Sequence, residues 1–257
     1  MTPSPTPTAS ESALADPAMT LSVVVPILNE AANIVDLVTE IVQALVGVTD
    51  FEIIYVDDGS EDDSLAILTR LKAEVAQLRV IRHSKRVGQS AGTYSGVQAA
   101  RGNLIVTLDG DGQNDPADIP KLLAAFNAAD DRAYRMVTGH RVNRRDSLSK
   151  RIGSRLANRV RSRLLNDANP DTGCALKLFE REMFLRLPYF DHMHRFLPAL
   201  AKRAGCHVTV VPVNHRGRLH GQSKYSNFGR LIVGIPDLLG VAWLMRRAPR
   251  ALDREEM

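Results

Sequence analysis

From Leu21 onward, the chain alternates between short, continuous apolar runs and longer stretches where apolar residues return every third or fourth position. The runs "LSVVVPI", "FEIIYV", "LRVIRH" and "NLIVTL" have the length and β-branched content of strands covered on both faces. Helical patterns lie between them. Ile34, Leu37, Val38, Ile41 and Leu45 recur at helical spacing, with Asn29 expected to cap that helix and Gly47 to stop it. Ser60 and Asp63 resemble an N-terminal cap for a helix over residues 64–77. Residues 88–100 form a helix rich in small side chains, and Asp115 is expected to cap a helix that takes Pro116 at its first position.

This alternation predicts an α/β fold: a Rossmann-like, mostly parallel sheet with helices on both faces. Ligands of such sheets bind beyond the carboxyl ends of the strands. The polar clusters sit at those ends: "PILNE" closes the first strand, "VDDGS" the second and "DGDGQ" the fourth. The second half is less regular. It predicts a basic helix over 147–165, a strand at "CALKLFE", a helix over 194–204, a strand at "HVTVVPV" and a polar loop at "RGRLHGQSKYS".

Composition refines this picture. Residues 1–20, rich in Pro, Ser, Thr and Ala, bury too little apolar surface to order themselves and lack the features of a signal peptide. They are expected to be a disordered tail, followed by one domain over 21–225 and an amphipathic segment over 226–257. No stretch reaches the roughly 18 apolar residues of a membrane span. The nearest, "LIVGIPDLLGVAWLM", is interrupted by Pro236 and Asp237 and flanked by Arg230, Arg246, Arg247 and Arg250. That pattern suits a segment lying in a membrane interface with Trp243 at headgroup level, and equally a helix packed on the core. Leu231, Ile232, Ile235, Leu238, Leu239 and Trp243 are expected to form one apolar face, broken by Pro236 into two short pieces.

Net charge is +4, but the excess is local: eleven Lys/Arg against one acid, Asp146, between Arg132 and Arg163. Such a stripe seeks phosphate in a nucleotide, a nucleic acid or an anionic membrane, unless it is a solvated helix face. An aromatic content of only 5% disfavours a base-stacking nucleic-acid surface. Cys174 and Cys206 alone argue for a reducing compartment and no disulfide framework.

Asp109, Asp111 and Gln113 alternate, so along an extended chain their side chains fall on one side. Hard oxygen ligands at this spacing suit Mg2+ or Mn2+, ions that complete their shell with water and substrate phosphates. The same residues also suit a plain β-turn. Gly88, Gly92 and Gly96 are four apart, the pattern of a closely packed helix face rather than of a dinucleotide-binding loop. His192 and His194 are the only close histidine pair and lack a third metal ligand nearby.

Together these stretches resemble the family 2 glycosyltransferases of the GT-A (nucleotide-diphospho-sugar transferase) fold, in particular the branch of dolichyl- and polyprenyl-phosphate mannose synthases. The resemblance runs from about Leu21 to Tyr225 through "VVVPILNE", "YVDDGSEDDS", "RVGQSAGTYSGVQAARG", "TLDGDGQNDP", "TGHRVNRRDSLSKRIGS", "DTGCALKLFER", "HRFLPALAKRAG" and "RLHGQSKY". It departs at Arg86, where the family often has asparagine.

The resemblance implies an inverting, metal-dependent hexosyltransferase that uses a nucleotide sugar. Pro26, Asn29, Glu30, Asp57, Asp58 and Gly88 would bind the nucleotide, with Asp57 on the base and Asp109 near the ribose and diphosphate. Asp109, Asp111 and Gln113 would hold Mg2+ or Mn2+. Arg141, Arg151 and Ser154 would meet the acceptor phosphate, and Arg218, Ser223 and Lys224 would close over the donor diphosphate. Asp109, Asp111, Arg141 and Lys224 would carry the catalysis. Mannose from GDP-mannose is the first expectation, and a UDP-linked glucose, galacturonate or aminoarabinose is the alternative. The acceptor would be a polyprenyl phosphate, met peripherally on the cytoplasmic face of a membrane, with homo-oligomer formation left open and no nucleic-acid partner.

Two rival readings remain. A transferase to a hydroxyl would need a general base, for which the span from Asn114 to Arg163 offers only Asp115, Asp118, Asp130 and Asp131 besides Asp146. A non-catalytic basic binding module is opposed by the acidic strand ends, which would repel a polyanion.

Overall fold

The computed structural model describes residues 21–129, 134–142, 161–167, 169–217 and 227–247. The expected N-terminal tail lies outside them, as does most of the expected basic helix; residues 161–165 of that helix are helical. The first half alternates as its periodicity predicts: β1 (Leu21–Ile27), α1 (Ala31–Leu45), β2 (Phe51–Asp57), α2 (Ser64–Glu74), β3 (Leu78–Arg82), α3 (Gln89–Ala99), β4 (Leu104–Thr107) and α4 (Ile119–Asn127). Then come β5 (Arg135–Arg141), β6 (Lys177–Glu180), α5 (Arg181–Leu185), α6 (Leu197–Arg203), β7 (His207–Val213) and α7 (Asn227–Arg246).

The sheet has seven strands in the order β3-β2-β1-β4-β6-β5-β7. All run parallel except β6, which is antiparallel to both β4 and β5. Side chains alternate across a strand, and the two cores follow that period. Leu21, Val23, Val25 and Ile27 of β1, with Ile53 and Tyr55 of β2, meet α1, α2 and α4 on one face. Val24, Ile54 and Val56 meet α3, α5, α6 and α7 on the other. Ile34, Leu37, Val38, Ile41 and Leu45 of α1 are all buried as their spacing requires, each contributing roughly 1.5–3 kcal/mol.

The glycines of α3 do what their spacing suggests. A Cβ at Gly96 would stand 2.4 Å from Val24 Cγ1, and one at Gly92 would stand 2.9 Å from Pro26 Cβ. The helix therefore lies almost flush on β1.

Local details correct the expected boundaries. Asn29 does not cap α1. It adopts a left-handed φ of 53°, and its side chain accepts from Glu61 N–H at 2.8 Å, across the loop after β2. Ser60 likewise accepts from Asn29 N–H at 2.9 Å, and Asp63 makes no side-chain cap bond to α2. α2 stops at Glu74 because Val75 turns extended (ψ 102°), and Gln77 then accepts from Ile53 N–H at 2.9 Å at the start of the sheet. Asp115 caps a short 3-10 turn, Pro116–Asp118, accepting from Ala117 N–H at 3.0 Å, before α4 begins.

Pro236 does not break the C-terminal helix, which runs unbroken from Asn227 to Arg246. Nor do its described apolar residues share one face; the side chains of Leu231 and Ile232 lie outside the described ones. Val241 and Ala242 are buried, and Leu238 and Met245 pack on the same core. Ile235, Leu239 and Trp243 point outward, with Trp243 62% exposed. Positions four apart in a helix align, whereas Leu238 sits three beyond Ile235 on the neighbouring stripe. Arg203 of α6 secures the end of α7, donating to Leu244 O and Arg247 O, both at 3.1 Å. Among the described residues, no helix is long and apolar enough to cross a membrane.

Candidate active site

The carboxyl ends of β1, β2 and β4 meet at one edge. Ile27 pairs with Asp57 in register, Asp58 N–H donates to Ile27 O at 2.9 Å, and Leu108 N–H donates to Val24 O at 3.2 Å. Gly110 is pressed onto β1 so closely that a Cβ would stand 2.3 Å from Ile27 Cγ2. The polar clusters of these strands thus come together around one cleft, with Pro26 of β1 packed against Gly92 of α3.

On the β2 side, Asp57 is fully buried. Its Oδ1 accepts from Ser60 N–H at 3.0 Å, and its Oδ2 has no partner among the described residues. A buried carboxylate oxygen without a donor is costly unless a ligand supplies one. Asp58, expected at the nucleotide, is engaged with the loop after β3. Its Oδ1 lies 2.9 Å from His83 Nδ1 and accepts from Val87 N–H at 2.9 Å, while Oδ2 accepts from Gly88 N–H at 2.8 Å. It builds the turn into α3 and holds Gly88 in its left-handed φ of 103°. Asn29 and Glu30 line the β1 end: Glu30 N–H donates to Ser64 Oγ at 3.0 Å, and Glu30 Oε2 accepts from Asn33 Nδ2 at 2.8 Å.

The acidic motif is a turn and not the extended chain its alternation suggests, because Gly112 takes a φ of 71°. Asp111 is buried and accepts from Gln113 N–H at 3.1 Å. Asp109 accepts from Gln89 Nε2 of α3 at 2.7 Å. Burial, then the neighbouring charge of Asp111, pushes the Asp109 carboxyl up to about 6, against the opposing pull of Lys177 and Arg141. Among the described residues, no three His, Cys, Asp or Glu side chains gather as a metal site. What the turn offers is two crowded carboxylates and one amide.

A cationic wall faces this turn. Lys177, at the start of β6, is 3% exposed and donates to Cys174 O; burial pulls its ammonium below the usual lysine range. Arg141 ends β5 and grips Asp171 through Nε–H and Nη2–H, both at 2.7 Å. Its Nη1 makes no hydrogen bond among the described residues. Asn169 steadies Asp171, accepting from its N–H at 2.9 Å, and Arg161, from the helical turn before that loop, pairs with its Asp167. Arg135 pairs with Glu180 and covers the Phe126 ring. Where described, the basic stripe is therefore largely paired, in contrast to the open phosphate-seeking face its composition suggests.

The segment after β7 lies on the acidic turn. His215 bridges to Asn114, and Arg216 N–H donates to Gln113 O at 3.0 Å. The Arg216 side chain spans Glu40 of α1, at 2.8 Å, and Asp115, at 2.5 Å. Arg151, Ser154, Arg218, Ser223 and Lys224 lie outside the described residues.

Gln89, Asp171, Lys177 and Arg216 escaped the sequence reading, and His194 entered it only as one of a close histidine pair lacking a third metal ligand. Only "DTGCALK" carried a signal for any of them, since a charged residue inside an apolar strand marks a paired or functional position.

A cleft at the carboxyl edge of a mostly parallel sheet, floored by an acidic turn, is that of a GT-A-fold nucleotide-sugar transferase. The sequence matches Glycosyl transferase family 2 over residues 22–187. The chain belongs to that family and is a glycosyltransferase. It is 36% identical over 235 residues to the dodecaprenyl-phosphate galacturonate synthase of Rhizobium johnstonii, spanning 90% of this chain and 68% of the relative. It is 34% identical over 226 residues to the undecaprenyl-phosphate 4-deoxy-4-formamido-L-arabinose transferase of Klebsiella pneumoniae, spanning 87% and 67%. Among solved structures, the fold is similar to that of glucosyl-3-phosphoglycerate synthase from Mycobacterium tuberculosis, in complex with Mn2+, UDP and glucosyl-3-phosphoglycerate. The TM-score is 0.67 at 19% identity, over 91% of this chain and 82% of that one. These relatives support the galacturonate and aminoarabinose alternative and give the mannose expectation no support.

Proposed function

We propose that this glycosyltransferase moves a sugar from a UDP-linked donor, of the galacturonate or aminoarabinose type, to a polyprenyl phosphate with inversion. The observation that carries this reading is the sequence identity to two polyprenyl-phosphate sugar transferases over about nine-tenths of the chain.

The site's chemistry supports it. Asp57 Oδ2, buried and without a donor among the described residues, suits an N–H of the base. Asp109, Asp111 and Gln113 would hold Mg2+ or Mn2+. Two crowded carboxylates, one with its proton affinity raised, favour a divalent cation, and so sparse an oxygen set leaves room for phosphate oxygens. When bound, the ion supplies positive charge to the departing diphosphate. A phosphate monoester with a second pKa near 6 is largely dianionic at neutral pH. The acceptor therefore attacks the anomeric carbon without a protein base. It needs cations to offset repulsion from the donor, and Arg141 offers Nη1 for that role. Arg151 and Ser154 are proposed to join it, and Arg218, Ser223 and Lys224 to cover the donor diphosphate. Asp115 and Asp118, which a hydroxyl transferase would need as bases, are engaged with Arg216 and Asn214.

Because the acceptor keeps its tail in a bilayer, the cleft works at the headgroup plane on the cytoplasmic side, where nucleotide sugars are available. The outward stripe Ile235, Leu239 and Trp243, beside Arg246 and Arg247, is the proposed contact.

The test is transfer to undecaprenyl phosphate from a donor panel of UDP-galacturonate, UDP-4-deoxy-4-formamido-arabinose, UDP-glucose and GDP-mannose. A UDP-sugar is expected to turn over, and transfer from GDP-mannose alone would overturn the donor assignment.

A further inference from the structure

We infer that His194 reads the donor sugar, donating a hydrogen bond from Nε2 to a sugar oxygen, with Ser90 as its positioning residue; this rests on the nucleotide-sugar reading above. His194 lies in a short 3-10 turn, Met193–Arg195, after His192 has taken a left-handed φ of 64°. The Nδ1 of His194 is 2.7 Å from Ser90 Oγ, and its backbone N–H donates to the same oxygen at 3.3 Å.

That geometry fixes the tautomer. Ser90 is 1% exposed, and a buried hydroxyl must place its proton on an acceptor. His194 Nδ1 is the only acceptor the hydroxyl meets among the described residues. Ser90 therefore donates to Nδ1, and a neutral imidazole then carries its own proton on Nε2. Burial, with Arg195, Lys177 and His192 nearby, pulls the imidazole pKa down to about 3 and keeps the ring neutral. The Nε2–H makes no hydrogen bond among the described residues and is not sealed in the core.

The ring's location assigns its ligand. Ser90 adjoins Gln89, whose Nε2 donates to Asp109 at 2.7 Å. Asp191, in the same loop as His194, lies against Gly88, where a Cβ would be 3.6 Å from its Oδ1. Lys177 acts electrostatically on both Asp109 and His194. The imidazole thus stands at the rim of the cleft, between the start of α3 and the acidic turn. The base is assigned to Asp57 and the diphosphate to Asp109 and Asp111, so the part of the donor left for this rim is the sugar. A neutral N–H suits a hydroxyl, formamide or carboxylate oxygen.

Calorimetry in the presence of Mn2+ tests this, with UDP, UDP-galacturonate and UDP-4-deoxy-4-formamido-arabinose as probes. The proteins compared are the full chain, His194→Phe, His194→Gln and Ser90→Ala. The affinity for UDP should be unchanged in all four. The ratio of the UDP-sugar Kd to the UDP Kd should rise about 3- to 10-fold in His194→Phe, the range expected for one lost hydrogen bond. Ser90→Ala, which frees the tautomer, should show part of that rise, and His194→Gln, which retains an N–H, should show little. An unchanged ratio in His194→Phe, or equal weakening of UDP and UDP-sugar, overturns the inference. Where Phe is not accommodated, the same ratio in Ser90→Ala decides the matter. Failure of the full chain to bind UDP removes the donor reading, and this inference with it.

Discussion

Arg141 and Asp171 hold each other by two parallel hydrogen bonds at 2.7 Å, joining the end of β5 to the loop before β6. With side chains 17% and 5% exposed, the pair is largely shielded from water. It commits one edge of the guanidinium to the protein, while Nη1 makes no hydrogen bond among the described residues and is the atom proposed to meet the acceptor phosphate.

Arg141→Ala should therefore have two effects. Losing one partner of such a pair costs about 3 kcal/mol of stability. Losing the phosphate contact should cost acceptor use roughly 1.5–3 kcal/mol. Arg141→Lys keeps the charge but not the planar fork, so it should recover little of either. Thermal melts and acceptor titrations at saturating donor separate the two effects. Intact acceptor kinetics with weakened nucleotide binding would reverse the assigned role.

Asp111→Ala should abolish turnover and Mn2+ binding while leaving the fold intact; Asp111 accepts from Gln113 N–H at 3.1 Å, a contact within the turn itself. Excess EDTA should likewise silence the wild type. Full activity in EDTA, or calorimetric Mn2+ binding retained in the variant, would remove the ion from this turn.

His194 makes stability depend on pH. Its folded pKa, about 3, lies below its ordinary value of 6.5. Between these values the unfolded chain binds the extra proton, so stability is full above about pH 6.5 and is lost as pH falls toward 3, by up to about 1.4 kcal/mol per pH unit. The groups facing the ring are Ser90, Arg195, Lys177 and His192. His194→Gln should flatten that part of the profile. Chemical denaturation at pH 4, 5, 6 and 7 measures it, and parallel curves for wild type and variant would refute the assignment.

Much of the frame was legible because β1 to β4 and α1 to α4 bury continuous or periodic apolar runs, whose spacing depends on local geometry alone. The acidic turn was legible as chemistry but not as shape, since the sequence does not reveal that Gly110 must press on Ile27. β5, "RMVTGHR", is a strand because it pairs with β6 and β7, and its mixed sequence hides that. Asp171, Lys177 and His194 join the site only through sheet pairing and loop packing between residues far apart in sequence. The stripe's arginines looked free because the partners of Arg135 and Arg141 lie 45 and 30 residues away.

The outward stripe of α7 can be tested without damaging the core. Replacing Ile235, Leu239 and Trp243 with Ser removes exposed apolar surface, whereas deleting the helix would also remove Val241 and Ala242 from the interior. Flotation with anionic liposomes should fall sharply in the triple variant. In the wild type it should weaken with salt but keep an apolar remainder, since each nearby Lys or Arg adds on the order of 1 kcal/mol that screening removes. Equal flotation of both proteins would place the docking surface elsewhere.

The contacts of Asn214, His215 and Arg216 with the acidic turn define where this enzyme can be recombined. Asn214 N–H donates to Asp118 at 2.6 Å, His215 bridges to Asn114, and Arg216 spans Glu40 and Asp115. A graft of a relative's next segment that begins after Gly217 would inherit all of these anchors. One that begins before Asn214 would carry a foreign anchor onto a native turn, mismatching charges that three separate parts of the chain supply. A chimera is therefore better joined after Arg216 than before Asn214, so that the native anchor stays with its native turn.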